Sequence, residues 1–204
     1  MKISVNSISK IFNQKSIFNN VTFELETNVM YGISGRNGSG KSTLLKILAG
    51  YITPNEGTIQ YLNNGVEVEK DKIYKHVTYA APYIELYEDA TFYETLKFHF
   101  QLKKIISTQT IDSIVSMLGY DKDMLIKSFS SGMLQRLKLC LAIFSESEIL
   151  LIDEPTETLD EQGQQWFLDL IKNYSSDRLV VISSNKEKDF VYCHQIISIE
   201  DYKS

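Results

Sequence analysis

Gly35-Arg36-Asn37-Gly38-Ser39-Gly40-Lys41-Ser42 satisfies the pattern G-x-x-x-x-G-K-[ST], and its flanks supply the context that gives the pattern meaning. Val29–Ser34 ahead of it is strand-like, and Lys41–Ala49 behind it is helical, with Leu44, Leu45, Ile47 and Leu48 apolar and Gly50 placed to end the helix. Gly35, Gly38 and Gly40 let the backbone curl until successive N–H groups face one point, where the helix N-terminus adds its dipole. A chain of phosphates belongs at that point. Lys41 supplies a positive charge for the β- and γ-phosphates, Ser42 offers its hydroxyl to Mg²⁺, and Thr43 completes the set expected to bind ATP. The acid ending a later apolar strand, Asp153, is expected to hold that ion through water.

Outward from this loop, the chain alternates between periods. Lys2–Ile8 and Val21–Leu25 read as strands, and Thr58–Leu62 with Val66–Glu69 read as a hairpin, because Asn63-Asn64-Gly65 tolerates the positive φ of a tight turn. These form an expected antiparallel layer. Between Pro82 and Ser130 the pattern is mainly helical, starting at the capping box Thr91-x-x-Glu94 ahead of Leu96 and Phe100. Helix Gly132–Phe144, strand Ile149–Asp153, helix Glu161–Tyr174, strand Leu179–Ser184 and strand Gln195–Ile199 then alternate as in a wound α/β sheet.

The bulk composition narrows the function classes. With 204 residues, 43% of them hydrophobic, the chain suits one domain with one subdomain. Apolar runs such as Ile149–Ile152 fall well short of the ~20 residues of a membrane span, and the start of the chain lacks a signal-like apolar stretch, so a cytoplasmic place is expected. The two cysteines, Cys140 and Cys193, have no zinc-site spacing and read as buried thiols. A net charge of −5 gives no basic field, so no nucleic-acid partner is expected. His76, His99 and His194 are dispersed and read as structural or surface residues.

Phe129-Ser130-Ser131-Gly132-Met133, followed by Gln135-Arg136, separates the classes that share a phosphate loop. It resembles the LSGGQ signature of ATP-binding cassette (ABC) proteins, and Ser130 can cap a helix whose apolar face is Met133, Leu137, Cys140, Leu141 and Phe144. The resemblance implies that Ser130, Ser131, Gly132 and Met133 cover ATP held by the opposite subunit of a head-to-tail homodimer. Ile149-Leu150-Leu151-Ile152-Asp153-Glu154-Pro155 looks like the family's Walker B strand, with Glu154 as the catalytic carboxylate. Glu157-Thr158-Leu159-Asp160 is similar to the D-loop, and Phe12 occupies the adenine-stacking position.

Two positions depart from the family pattern. Pro82 stands where a glutamine touching Mg²⁺ is expected, and Asn185 stands where a histidine would contact the γ-phosphate, still a donor but without a titratable charge. These departures imply slow chemistry with binding intact.

The fold implied is an α/β P-loop NTPase wound sheet with an antiparallel β layer and an inserted helical subdomain. One cassette is expected, residues 1–82 and 136–204 forming the ATPase core and 83–135 the helical and signature subdomain. The function implied is the ATP-hydrolysing subunit of a transporter, working with Mg²⁺ on the inner face of the membrane beside a separately encoded permease. The compact length is similar to haem-exporter subunits. A soluble regulatory cassette, or one that binds ATP with little hydrolysis, is the alternative. The aromatic set Tyr83, Tyr87, Phe92, Tyr93, Phe98 and Phe100 suits either a permease-docking surface or the helical segment's own core; Phe92 and Phe100 share Leu96's face, which favours packing for that pair.

Overall fold

The protein is described by a computed structural model covering residues 1–203. Its elements run β1 (Lys2–Phe12), β2 (Lys15–Glu26), β3 (Met30–Ser34), α1 (Lys41–Leu48), β4 (Glu56–Asn63), β5 (Val66–Glu67), β6 (Val77–Ala80), α2 (Phe92–Leu102), α3 (Ile111–Leu118), α4 (Ser131–Ile143), β7 (Ile149–Asp153), α5 (Glu161–Tyr174), β8 (Leu179–Ser184) and β9 (Gln195–Ser198). An antiparallel sheet has the order β2-β1-β4-β5, and a parallel sheet has the order β6-β7-β8-β3-β9.

The parallel sheet is apolar on both faces because two of its interior strands, β7 and β8, are buried throughout and rich in continuous apolar residues. Ile149, Leu151, Leu179 and Val181 pack with β1 and α1 residues such as Ile3, Val5, Leu44 and Leu48. The alternate residues Leu150, Ile152, Val180 and Ile182 pack with Phe92, Leu137, Cys140 and Phe167 from α2, α4 and α5. The period of two along a strand thus distributes one sequence over two cores. Phe92, Leu96, Ile114 and Leu118 belong to the second core, so the helical stretch after β6 is continuous with the sheet's apolar face.

Local chemistry sets the ends. Thr91 Oγ1 accepts from Glu94 N at 3.2 Å while Glu94 Oε2 accepts from Thr91 N at 2.9 Å, the reciprocal cap that starts α2. Asn64 and Gly65, with φ of 49° and 81°, make the tight turn between β4 and β5. The second strand of that hairpin is shorter than its alternation suggests, ending at Glu67. β1 runs past Ile8 to Phe12, with a register shift between Val5 and Ile8 where Ser7 takes a φ of 49°. β6 was not legible as a strand. Its polar Thr78 and Tyr79 break the apolar pattern, and pairing with β7 is what holds it extended.

Candidate nucleotide site

All strands of the second sheet run parallel, so the loops following Ser34, Ala80, Asp153, Ser184 and Ser198 emerge at one edge. There an open cleft of about 480 Å³ is lined by Asn37, Gly38, Lys41, Ser42, Pro82, Tyr83, Asp153, Glu154 and Glu157. A larger hollow of about 980 Å³ lies beside Tyr51, Tyr74, Tyr79, His99 and Leu102, but no glycine loop or helix N-terminus lines it.

The glycine loop enters α1 through Gly40, whose φ of 105° and missing side-chain cap leave the helix start open. The first intrahelical bond runs from Leu44 N to Gly40 O at 2.9 Å, which leaves the amides of Lys41, Ser42 and Thr43 without helical partners. A Cβ on Gly40 would stand 2.6 Å from Ile17 Cγ2, so both the conformation and the space require glycine. Ser39 Oγ is buried without a hydrogen-bond partner. Lys41 Nζ, on a side chain only 5% exposed, meets Glu154 Oε1 at 2.9 Å and also donates to Gly35 O at 2.9 Å and Arg36 O at 3.2 Å. Free amides, a buried ammonium and an orphaned hydroxyl fit a polyphosphate.

The acidic pair supplies the other wall. Asp153 is 1% exposed, and its Oδ1 accepts from Ser183 Oγ while its Oδ2 is 3.2 Å from the Tyr83 hydroxyl and 3.4 Å from that of Tyr79. The two tyrosine hydroxyls also bond to each other. Burial, with Asp153 beside it, pushes the Tyr83 hydroxyl up to about 12, and burial drives Tyr79 higher, so both are donors at neutral pH. Among the described residues no group of three or more His, Cys, Asp or Glu could hold a metal. One carboxylate and the Ser42 hydroxyl on the same cleft suit Mg²⁺, which takes its remaining ligands from phosphates and water.

Glu154 follows on a left-handed backbone, φ 45°, and its Oε2 accepts from Ser184 Oγ at 3.3 Å and Asn185 N at 3.4 Å. Asn185 Nδ2 in turn donates to Asn37 Oδ1 at 2.9 Å, tying the end of β8 to the glycine loop. Arg36 N donates to Glu200 Oε1 at 3.1 Å, a further hold on that loop from beyond β9.

Most candidates converge, and some stand apart. Phe12 ends β1 45% exposed, with Lys10 Nζ 4.8 Å from its ring centre, and it does not line the cleft. Ser130 caps α4 by accepting from Met133 N at 3.2 Å, as its sequence position predicts. Ser131 is exposed and its carbonyl accepts from Thr158 Oγ1 at 3.3 Å, so the segments resembling the signature and the D-loop touch each other away from the cleft. Asp160 caps α5 through Gly163 N at 2.8 Å. His99 and His194 are structural: His99 Nε2 lies 2.8 Å from Ser145 Oγ, and His194 Nδ1 accepts from Met30 N at 3.1 Å. Cys140 is buried and Cys193 only partly so. Tyr79, Tyr83, Ser183 and Glu200 join the site without a role assigned from sequence: the first three flank the departures at Pro82 and Asn185, and their hydroxyls reach Asp153 only through the fold.

The family model for ABC transporters matches residues 18–157. The uncharacterized ABC transporter ATP-binding protein YybJ of Bacillus subtilis is 32% identical over 193 residues, covering 93% of this chain and 88% of YybJ. The bacitracin transport ATP-binding protein BcrA of Bacillus licheniformis is 26% identical over 200 residues, covering 97% of this chain and 63% of BcrA. The chain likewise spans only 56% to 61% of three further ATP-binding proteins of Bacillus subtilis. Among solved structures, a putative ABC transporter ATP-binding protein from Pyrococcus furiosus superposes with a TM-score of 0.84 at 24% identity, covering all of both chains. A dimeric, post-hydrolysis cassette, MJ0796 with ADP and Pi, reaches 0.81 at 20% identity over 96% of this chain and 93% of its own. These likenesses establish the wound-sheet fold. By family match and relatives together, the chain belongs to the ABC transporter family as an ATP-binding, ATP-hydrolysing cassette.

Proposed function

We propose that this cassette drives a separately encoded membrane permease as a head-to-tail homodimer on the cytoplasmic face of the membrane, with Mg²⁺ as the ion that accompanies ATP. One observation carries this reading: the open amides of α1, the buried Lys41 ammonium and the Asp153–Glu154 pair share one cleft. Among the described residues no helix is long and apolar enough to cross a membrane. Residues 1–82 and 136–204 serve as the ATPase core, and 83–135 as the helical and signature subdomain.

In this reading Lys41 exchanges Glu154 for phosphate oxygens when nucleotide enters, because both are anionic acceptors within its reach. Glu154 is thereby released to accept a proton from the attacking water. Ser42 and Asp153 hold the cation, whose charge offsets that developing on the transferring phosphate. The start of α4 at Ser130, Ser131, Gly132 and Met133 covers the phosphates of the second copy, Asp160 lies at that interface, and Phe12 stacks on adenine. BcrA is named for bacitracin transport, which supports a transport role and leaves this chain's substrate open.

A second reading, a cassette that binds ATP with little turnover, is favoured by Pro82, which has no side-chain donor, and by Asn185, whose amide is engaged on Asn37. The test of the main reading is calorimetry of ATP binding to wild type and Lys41→Ala. Wild type is expected to bind, and Lys41→Ala to lose most of that affinity. Equal affinity overturns the assignment of the cleft. Copurification of a multi-span membrane protein checks the permease.

A further inference from the structure

Asp153 is 1% exposed, and a buried carboxylate requires a donor on each oxygen. Ser183, on neighbouring β8, serves Oδ1. Oδ2 is served from the cleft wall by Tyr83 at 3.2 Å, with Tyr79 at 3.4 Å behind it. Because the two hydroxyls are also bonded to each other, a consistent proton order has Tyr79 donating to Tyr83 and Tyr83, the nearer, donating to Asp153.

Neither ring is loosely held. Tyr79 lies edge-on to Tyr51 with ring centres 5.6 Å apart. Tyr83 lies under Lys46 Nζ, 4.3 Å from its ring centre, and Lys46 belongs to α1, the helix that presents Lys41 and Ser42. The preceding carbonyl, Pro82 O, accepts from Lys138 Nζ of α4 at 2.5 Å, which anchors the loop on its other side. Tyr83 is nevertheless 47% exposed and lines the cleft with Ser42 and Asp153. A residue packed only for stability would have no reason to keep its polar end on the one buried carboxylate of the phosphate cleft.

We propose that Tyr83, braced by Tyr79, is the positioning residue for the divalent cation that accompanies nucleotide: its hydroxyl orients Asp153 Oδ2 toward the ion shared with Ser42. The proposal rests on the nucleotide reading above. It assigns to a tyrosine on the loop after β6 the control of a metal-holding carboxylate, at a point in the chain where Pro82 itself can donate nothing.

The test separates metal from nucleotide. Binding of a non-hydrolysable ATP analogue is measured by calorimetry in Mn²⁺ and again in EDTA for wild type, Tyr83→Phe and Tyr79→Phe, and the ratio of the two affinities is the gain due to the ion. Tyr83→Phe is expected to keep the EDTA affinity and lose most of the gain, by roughly tenfold or more, as for other partners of metal-bound carboxylates. Tyr79→Phe, one bond further out, is expected to lose less. The Mn²⁺ resonance of the nucleotide complex should broaden in Tyr83→Phe alone, a change that loop packing by itself does not produce. An undiminished gain with an unchanged spectrum overturns the proposal. A lower EDTA affinity with the gain intact also overturns it, since the tyrosine would then act on the nucleotide or the fold. Wild type that binds no nucleotide even in Mn²⁺ brings down the nucleotide reading instead, and this inference with it.

Discussion

Asp153 and Glu154 are adjacent in sequence and differ in nearly everything that decides their chemistry. Asp153 ends a strand, is buried and takes hydroxyl donors on both oxygens. Glu154 leaves the strand through a φ of 45°, which for a residue with a Cβ costs about 1–3 kcal/mol and swings its carboxylate onto Lys41. Strain at that point is consistent with a residue positioned for reaction rather than for stability. Asn185 is the neighbour whose chemistry is weakest, since its amide is neutral and bonded to Asn37. Asn185→His is therefore expected to raise the single-turnover rate of ATP hydrolysis, with a ceiling of ~10²–10³ for one transition-state donor, while ATP affinity stays nearly constant. Rapid-quench measurement decides it: a brisk wild-type rate that the histidine leaves unchanged means the asparagine already suffices.

At the scale of elements, caps and cross-links between helices make the structure measurable. Thr91→Ala removes the side-chain half of the box at the start of α2, leaving the Thr91 N–Glu94 bond, and is expected to destabilise the fold by about 1 kcal/mol in urea, without weakening ATP binding. A loss of ATP affinity in step with stability would count against a purely structural α2. His99 joins α2 to the end of α4 through Leu141 O and Ser145 Oγ, and its pKa is held below 6.5 first by burial, against the Leu141 bond that raises it, with Lys103 lowering it further. Between that lowered pKa and 6.5 the unfolded chain takes up a proton that the folded chain refuses. This contribution to stability is thus complete above pH 6.5 and drains away as pH falls through the folded value; His99→Gln should flatten that part of a urea-midpoint profile, and an identical profile would exclude His99 as its source. The elements read best from sequence, β7, β8 and α5, agree at both ends with the structure because a buried hydrophobic run or a cap residue marks each boundary. β6 escaped because pairing, not composition, makes it a strand. Tyr83 and Glu200 escaped the site for a related reason: a motif records neighbours along the chain, and these two reach Asp153 and Arg36 only after folding.

For the whole molecule, the site is divided between surfaces. The cleft holds Lys41, Ser42, Asp153 and Glu154, whereas Ser130, Ser131 and Asp160 lie outside it. Glu154→Gln keeps the shape and removes the base, so with saturating Mg-ATP it is expected to give a persistent dimer by light scattering where wild type is transient. A strictly monomeric Glu154→Gln protein with ATP bound would argue against closure of two copies. The order of the parallel sheet has one more consequence. β3, which delivers the glycine loop, is flanked by β8 and β9, both from the far part of the chain. On the ribosome, the hairpins of the antiparallel sheet can pair early, but the strand under the phosphate loop waits without neighbours until Leu179–Ser198 has emerged. A nascent chain shorter than this carries the whole glycine motif and has no pocket in which to use it, so nucleotide can act as a ligand only for a cassette whose β8 and β9 have emerged.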